Sequence, residues 1–299
     1  MSNAEPGATP PKVGLAELAA MKRDGRPIVM VTAYDHPSAR LADAAGVDIV
    51  FTGDSAANNV LGYPDTTPIS MDEMVMLARA ARRGTHRAFF MADLPLGAFQ
   101  VSDEDAVRNA LRLVKEAGAE AVKIEGAGAM VSRARAIVGA GIPLMGHLGL
   151  TPQTATMLGG YKAQGRTAAK ARQLFADALA LQAAGCFAIV LEAVPDRIAA
   201  RITEALRIPT IGIGAGPQCA GQVLVWHDLL GINEGFAAKF VKRFASVGEE
   251  TRRGLEAFAA EVRAGTYPGD EHSYHITDAE YALFESETAP GVLVADDWL

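Results

Sequence analysis

Cysteine is scarce: two residues, Cys186 and Cys219, in a chain of 299. Two thiols make no disulfide framework, and no paired-Cys or His-x-x-x-His spacing suggests zinc. Cys186 sits in an apolar run and reads as a small core residue, and both thiols are expected to be inert. Positive charge is also short, with 28 Lys and Arg against 35 Asp and Glu and a formal net charge of -7. A nucleic-acid binder would show a basic surplus, so that class is set aside. No apolar run approaches the roughly 18 residues of a membrane span. The first eleven residues, rich in Pro, Ala and Gly, lack a cationic start followed by an apolar stretch, so no secretory signal is read there. Neither nucleic acid nor membrane is expected as a partner, and the expected compartment is the reducing cytoplasm.

What is present is one repeating pattern. Hydrophobic residues make up 49% and charged residues 21%, enough to bury a large core. Short runs rich in Val and Ile lie at 27–34, 48–52, 88–92, 120–125, 142–147, 186–192, 208–213 and 223–227. Most are almost continuously apolar, as parallel strands buried on both faces should be. Helical spacing marks 37–45, 72–82, 103–117, 129–139, 169–184 and 195–205 between them. Ser102-Asp103-Glu104-Asp105 opens a helix with acids at the positive end of its dipole, and Gly118 and Gly185 are expected stops. Asp35-His36 reads as the cap of the first of these helices. Strand and helix alternating eight times predict an α/β (β/α)8 TIM barrel of one domain. An open doubly wound sheet is disfavoured because no G-x-G-x-x-G loop follows the first strand. The expected layout is a flexible segment over 1–11, a catalytic barrel over 12–275 and a tail over 276–299. A short helix at 15–22 should close the barrel bottom, and a long helix is expected at 238–264. The acidic, aromatic-containing tail is either partly disordered or laid on a neighbouring subunit.

Barrel enzymes place their chemistry at the carboxyl ends of the strands. Those ends carry Asp54-Ser55, Asp93, Lys123-Ile124-Glu125, His147, Glu192 and His227-Asp228. Charge at the close of an apolar strand is costly unless paired, solvated or metal-bound. By alternation, Lys123 and Glu125 point into the barrel together while Val122 and Ile124 face the helices, and Glu192 shares the inward face of its strand. Asp54, Asp93 and Glu125 supply hard oxygen donors from successive strands, a set suited to Mg2+ with positions open for water and substrate. Each acid alone is as readily a helix cap or an ion-pair partner, but their convergence with Lys123 and Glu192 marks a functional cleft. His147 is either a satisfied structural residue or a group for substrate binding or proton transfer. His227-Asp228 reads as structural. Gly212 to Gly216 either brings backbone N–H groups to a substrate anion or makes a tight barrel turn.

Specific strings add to this. Thr32-Ala33-Tyr34-Asp35, Gly53-Asp54-Ser55, Ala92-Asp93-Leu94-Pro95 and Val122-Lys123-Ile124-Glu125-Gly126 occur in order. They are followed by Gly146-His147-Leu148-Gly149-Leu150-Thr151-Pro152-Gln153, then Gly159-Gly160-Tyr161-Lys162-x-Gln164-Gly165-Arg166. Leu191-Glu192-x-Val194-Pro195, Ile211-Gly212-Ile213-Gly214-Ala215-Gly216 and Tyr267-Pro268-Gly269 close the series. In these strings the chain resembles the ketopantoate hydroxymethyltransferase family over about residues 12–275. The resemblance implies a barrel, a homo-oligomer, often a decamer, and one Mg2+ per subunit held by Asp54 and Asp93. Glu125 is implied as a further ligand, directly or through water. It implies substrate contacts at Asp54, Ser55, Asp93 and Lys123, with His147 nearby, and Glu192 as proton acceptor.

The implied reaction is pantothenate-pathway chemistry. An enolate of 3-methyl-2-oxobutanoate, stabilised by the metal and Lys123, attacks the one-carbon unit of the co-substrate 5,10-methylenetetrahydrofolate and yields 2-dehydropantoate. The residues alone indicate only metal-assisted enolate chemistry; folate enters through the resemblance. The alternative is a metal-dependent 2-oxo acid lyase or mutase of the phosphoenolpyruvate-mutase and isocitrate-lyase type, whose lyases use a reactive cysteine loop not found here. A non-catalytic metabolite-binding barrel is a third reading. Its one supporting feature is a departure from the family pattern, in which Gly53-Asp54-Ser55 continues Leu-Gly-Met where this chain has Ala56-Ala57-Asn58-Asn59.

Overall fold

The computed structural model describes residues 11–233 and 238–288. Most of 1–11, where a flexible segment is expected, and 289–299 lie outside the described residues. The chain divides into two compact units, Met1–Ser246 and Val247–Leu299.

Eight parallel strands close the barrel in sequence order: β1 (Ile28–Thr32), β2 (Ile49–Thr52), β3 (Phe89–Asp93), β4 (Ala121–Glu125), β5 (Leu144–Gly149), β6 (Ala188–Glu192), β7 (Thr210–Ile213) and β8 (Gly221–Leu224). β8 pairs with β1 through Met30 opposite Val223. α1 (Leu15–Asp24) precedes them, α2 (His36–Ala44), α3 (Ala56–Asn59), α4 (Met71–Gly84), α5 (Asp103–Ala117), α6 (Met130–Gly139), α7 (Ala168–Ala183) and α8 (Asp196–Ala205) run between them, and α9 (Trp226–Leu229) follows β8. The second unit carries α10 (Val247–Ala264) and α11 (Asp278–Glu287).

Local chemistry explains the helix ends. Asp35 accepts from Ser38 N at 2.7 Å and caps α2, and Ser102 Oγ accepts from Asp105 N to open α5. Gly118 ends α5 at φ 74°, where a side chain would be strained. Packing then forms two shells. Val122, Ile124, Ile189 and Leu191 pack outward with the helices. Met30, Ile49, Phe51, Met91, Ala121, Met145, Val190 and Ile211 fill the barrel interior, and Val13, Leu18 and Met21 at and before α1 seal its amino-terminal end. The alternation read for β4 and β6 therefore holds, as does the closing helix. Cys186 is buried, and burial pushes its thiol up to about 12, so it stays protonated.

Two boundaries differ from expectation. β8 stops at Leu224, and His227-Asp228 lie in α9, because Val225 turns the chain and Trp226 N donates to Thr32 Oγ1 at 2.8 Å. The expected long helix begins at Val247 rather than 238. Tertiary contacts intervene: Phe240 packs against Gly214, and Phe244 N donates to Leu229 O at 2.8 Å.

Candidate active site

The strand register sets the inward charges side by side. Asp93 stands opposite Lys123, Glu125 opposite His147, and Glu192 opposite Ile213. Asp54 follows β2 by two residues, and its N–H lies 3.4 Å from Asp93 Oδ2, its acceptor. Gln153, on the 3-10 turn Pro152–Thr154, ties the set together. Its Nε2 donates to Asp54 Oδ2 and to Leu94 O, both at 2.9 Å, and its backbone N–H donates to Glu125 Oε2 at 3.0 Å. Gly149 makes that turn possible. It sits at φ 99°, and a Cβ there would lie 2.1 Å from Glu192 O.

Lys123 Nζ lies 2.8 Å from Asp93 Oδ2 and 3.7 Å from Glu125 Oε1. Burial alone would pull its pKa down, but Asp93, Glu125 and Asp54 outweigh burial and keep it charged. His147 bridges two carboxylates. Nδ1 donates to Glu125 Oε1 at 3.1 Å, and Nε2 lies 3.2 Å from Glu192 Oε2 without hydrogen-bond alignment. Burial and Lys123 oppose a second proton on the ring, yet Glu125 and Glu192 prevail and raise His147 to about 9. Glu125 is held below its usual range, since Lys123 and His147 together outweigh its burial.

The other two acids are under-compensated. Burial, then Asp93 and Glu125, push Asp54 well above the ordinary carboxylate value. Burial raises Asp93 to about 6 even with Lys123 beside it. Asp93 Oδ1 is buried with no hydrogen-bond partner. Four carboxylates thus face one lysine and one histidine. That imbalance and the orphaned oxygen suit a cation, which Asp54 and Asp93 could hold. Among the described residues no three His, Cys, Asp or Glu donors form a ready-made cage. Both Glu125 oxygens are already engaged, which leaves a site of one or two carboxylates of the sort Mg2+ accepts, with waters and substrate filling the rest.

All seven expected residues line one cavity of about 230 Å3: Asp54, Ser55, Asp93, Lys123, Glu125, His147 and Glu192. The same cavity has an apolar part to its lining, from Met30, Phe51, Val190, Ile213, Val223 and Val225. Ser55 Oγ is fixed by Tyr34 OH at 2.8 Å, and Asn58 and Asn59 of the departing segment reach the same cavity while Ala56 and Ala57 are buried. Asp228 also lines it, whereas His227 packs on the Tyr34 ring at 5.5 Å. Gly214 and Gly216 adopt φ 64° and 81° against Phe240 and Asp196, so that stretch is a tight turn. The residue after Glu192 is unusual. Ala193 holds φ 49°, a left-handed conformation that costs a non-glycine residue about 1–3 kcal/mol. Its N–H donates to Ile213 O and its carbonyl accepts from Gln164 N, so hydrogen bonds on both sides maintain the strain.

Charge patterning singled out neither Gln153 nor Tyr34. Gln153 lay in the quoted His147–Gln153 string, but its role depends on a partner 99 residues away.

A model of the ketopantoate hydroxymethyltransferase family matches residues 12–270. The chain is 55% identical over 263 residues to 3-methyl-2-oxobutanoate hydroxymethyltransferase of Moorella thermoacetica, covering 88% of this chain and 98% of that protein. The counterpart of the same name from Heliobacterium modesticaldum is 50% identical, with 91% and 99% covered. Among solved structures, phosphonopyruvate hydrolase in complex with oxalate and Mg2+ aligns with a TM-score of 0.56 at 15% identity over 92% of this chain and 98% of that one. A 2,3-dimethylmalate lyase of the phosphoenolpyruvate mutase/isocitrate lyase superfamily gives 0.56 at 18% identity over 91% and 95%. At such identities the structural likeness speaks for the fold alone. The lyase alternative is therefore matched only in architecture.

Proposed function

The chain belongs to the ketopantoate hydroxymethyltransferase family, and on that premise we propose that it converts 3-methyl-2-oxobutanoate, 5,10-methylenetetrahydrofolate and water into 2-dehydropantoate and tetrahydrofolate. The observation that carries this reading is one cavity in which the buried acids, Lys123 and His147 meet an apolar lining of Met30, Phe51, Val190, Ile213, Val223 and Val225. A branched 2-oxo acid has the same division, with a carboxylate and ketone at one end and an alkyl group at the other.

Mg2+ would be held by Asp54 and Asp93, with Glu125 reaching it through water, and when bound it supplies Lewis-acid stabilisation of negative charge on the keto oxygen. The protein's own groups do the rest. Lys123 places a fixed positive charge by the same oxygen. Ser55, oriented by Tyr34, offers a hydroxyl to the substrate. Glu192 takes the proton from C3, and the electron pair released forms the bond from C3 to the methylene carbon as the bond from that carbon to one folate nitrogen breaks and that nitrogen takes up a proton, leaving the carbon on the other nitrogen alone. Water then replaces the folate nitrogen on that carbon and leaves the hydroxymethyl group. His147, charged between Glu125 and Glu192, places a positive charge beside the base. The apolar wall excludes water from the reacting carbon.

The same membership supports a homo-oligomer, which we take as a decamer in the cytoplasm. Among the described residues no helix is long and apolar enough to cross a membrane.

The deciding experiment incubates the protein with Mg2+ and 3-methyl-2-oxobutanoate in deuterated water. Exchange of the C3 hydrogen without folate, and 2-dehydropantoate only once methylenetetrahydrofolate is added, are expected. Absence of exchange would return the barrel to a binding role, and carbon–carbon cleavage would favour a lyase.

A further inference from the structure

Glu192 borders two cavities. Beside the site above lies a second cavity of about 690 Å3, which has Tyr161, Glu192 and Phe240 in common with the first. It is far larger than a small 2-oxo acid needs, and falls in the range of sites for extended ligands. Its lining is distinctive. Ala193, Gly214 and Gly216 give it a bare, backbone-rich wall, and among the described residues Lys162 and Lys239 supply its other charge. Both lysines are exposed, and among the described residues no carboxylate pairs with either ammonium. Phe240 is seated on Gly214, where an added Cβ would come within 2.6 Å of its ring. The junction therefore offers aromatic surface, the open cavity offers cations, and Glu192 stands where the two chambers meet.

Those features suit a particular ligand class. A carbon that loses its proton to Glu192 must receive its new bond at the same place. A donor delivered through the second cavity reaches that place without displacing the 2-oxo acid from the first. Flat heteroaromatic rings pack favourably on Tyr and Phe, and an anionic tail is drawn to exposed lysines.

We propose that this second cavity seats the one-carbon donor, with its ring system against Tyr161 and Phe240 and its anionic tail toward Lys162 and Lys239. The proposal rests on the hydroxymethyl-transfer reading. Its test uses the full-length enzyme and methylenetetrahydrofolate bearing either one or three γ-linked glutamates. The unsubstituted enzyme should show a lower KM for the triglutamate. K162A/K239A should raise that KM about three- to tenfold, the range expected of exposed ion pairs. It should erase the preference while keeping kcat and folate-free C3 exchange, and K162R/K239R should restore the preference. A preference that survives K162A/K239A, equal KM values in the unsubstituted enzyme, or loss of exchange in the alanine variant would each overturn the pocket assignment. Failure of the unsubstituted enzyme to form 2-dehydropantoate with either donor would overturn the reading of function, and the pocket with it.

Discussion

At the amino-terminal end of the strands, Asp43 places its carboxylate under the backbone N–H groups of His86, Arg87 and Ala88, at 2.6 to 3.2 Å. At the carboxyl-terminal end, Asp93 gives one oxygen to Lys123 and leaves the other buried with no partner. At the amino-terminal end Val13, Leu18, Met21, Ile28 and Phe89 belong to an apolar floor inside the barrel; around Asp93 stand three more carboxylates, a lysine and a histidine. The same strands thus run from a satisfied, closed end to an unsatisfied, open one. Stability is gathered where polar groups are fully partnered, and chemistry where they are not.

Substitutions at the two ends should separate these roles. The largest effect is expected from Glu192→Gln, which keeps the shape and removes the base. C3 exchange should fall by about 10²- to 10⁴-fold with little change in 2-oxo acid affinity, and exchange at the original rate would remove Glu192 from that role. Lys123→Met should come next. It strips a buried cation from Asp93 and Glu125, at a cost of about 3–5 kcal/mol in unfolding free energy, and it should weaken activity as well. An unfolding midpoint equal to the parent's would show that those acids are compensated by other means. At the closed end, Leu18 is 1% exposed. Leu18→Ala should cost about 2–5 kcal/mol by leaving a cavity, while kcat at low temperature stays at the parent value. A selective loss of kcat would break the division between the ends.

The smallest effect concerns pH. Burial raises the Asp43 carboxyl, but the N–H donors of Ala88, Arg87 and His86 more than reverse that and hold it below its usual value. A folded-state pKa depressed in this way stabilises the protein above the unfolded value, about 3.9. The contribution fades as pH falls through the folded value. Asp43→Asn should therefore lower the melting temperature near neutral pH, and the gap from the parent should narrow below about pH 4. A gap independent of pH would mean that the carboxylate charge contributes nothing.

Much of this was legible from residue order. Lys123 and Glu125 were assigned to the barrel interior by alternation alone, since side chains on one strand face opposite ways with period two. The capping of α2 by Asp35 and of α5 by Ser102 could be read from adjacent residues, because both bonds span three positions. The errors lie where distant contacts override local pattern. Residues 238–246 look amphipathic, yet Phe240 is captured by Gly214 and the helix waits until Val247. His227-Asp228 look like a strand end, yet Thr32 receives Trp226 and bends the chain into α9.

Sequence by itself determined the closed eight-stranded barrel and the set of charges gathered at its mouth, because periodicity and strand ends are local properties of the chain. Only the tertiary structure decided that Gln153 would join Asp54 to Glu125, that one Asp93 oxygen would be left without a partner, and that a second cavity would open beside Glu192. Those features arise from groups tens of residues apart brought within a few ångströms by closure of the sheet, and no local pattern encodes such a distance.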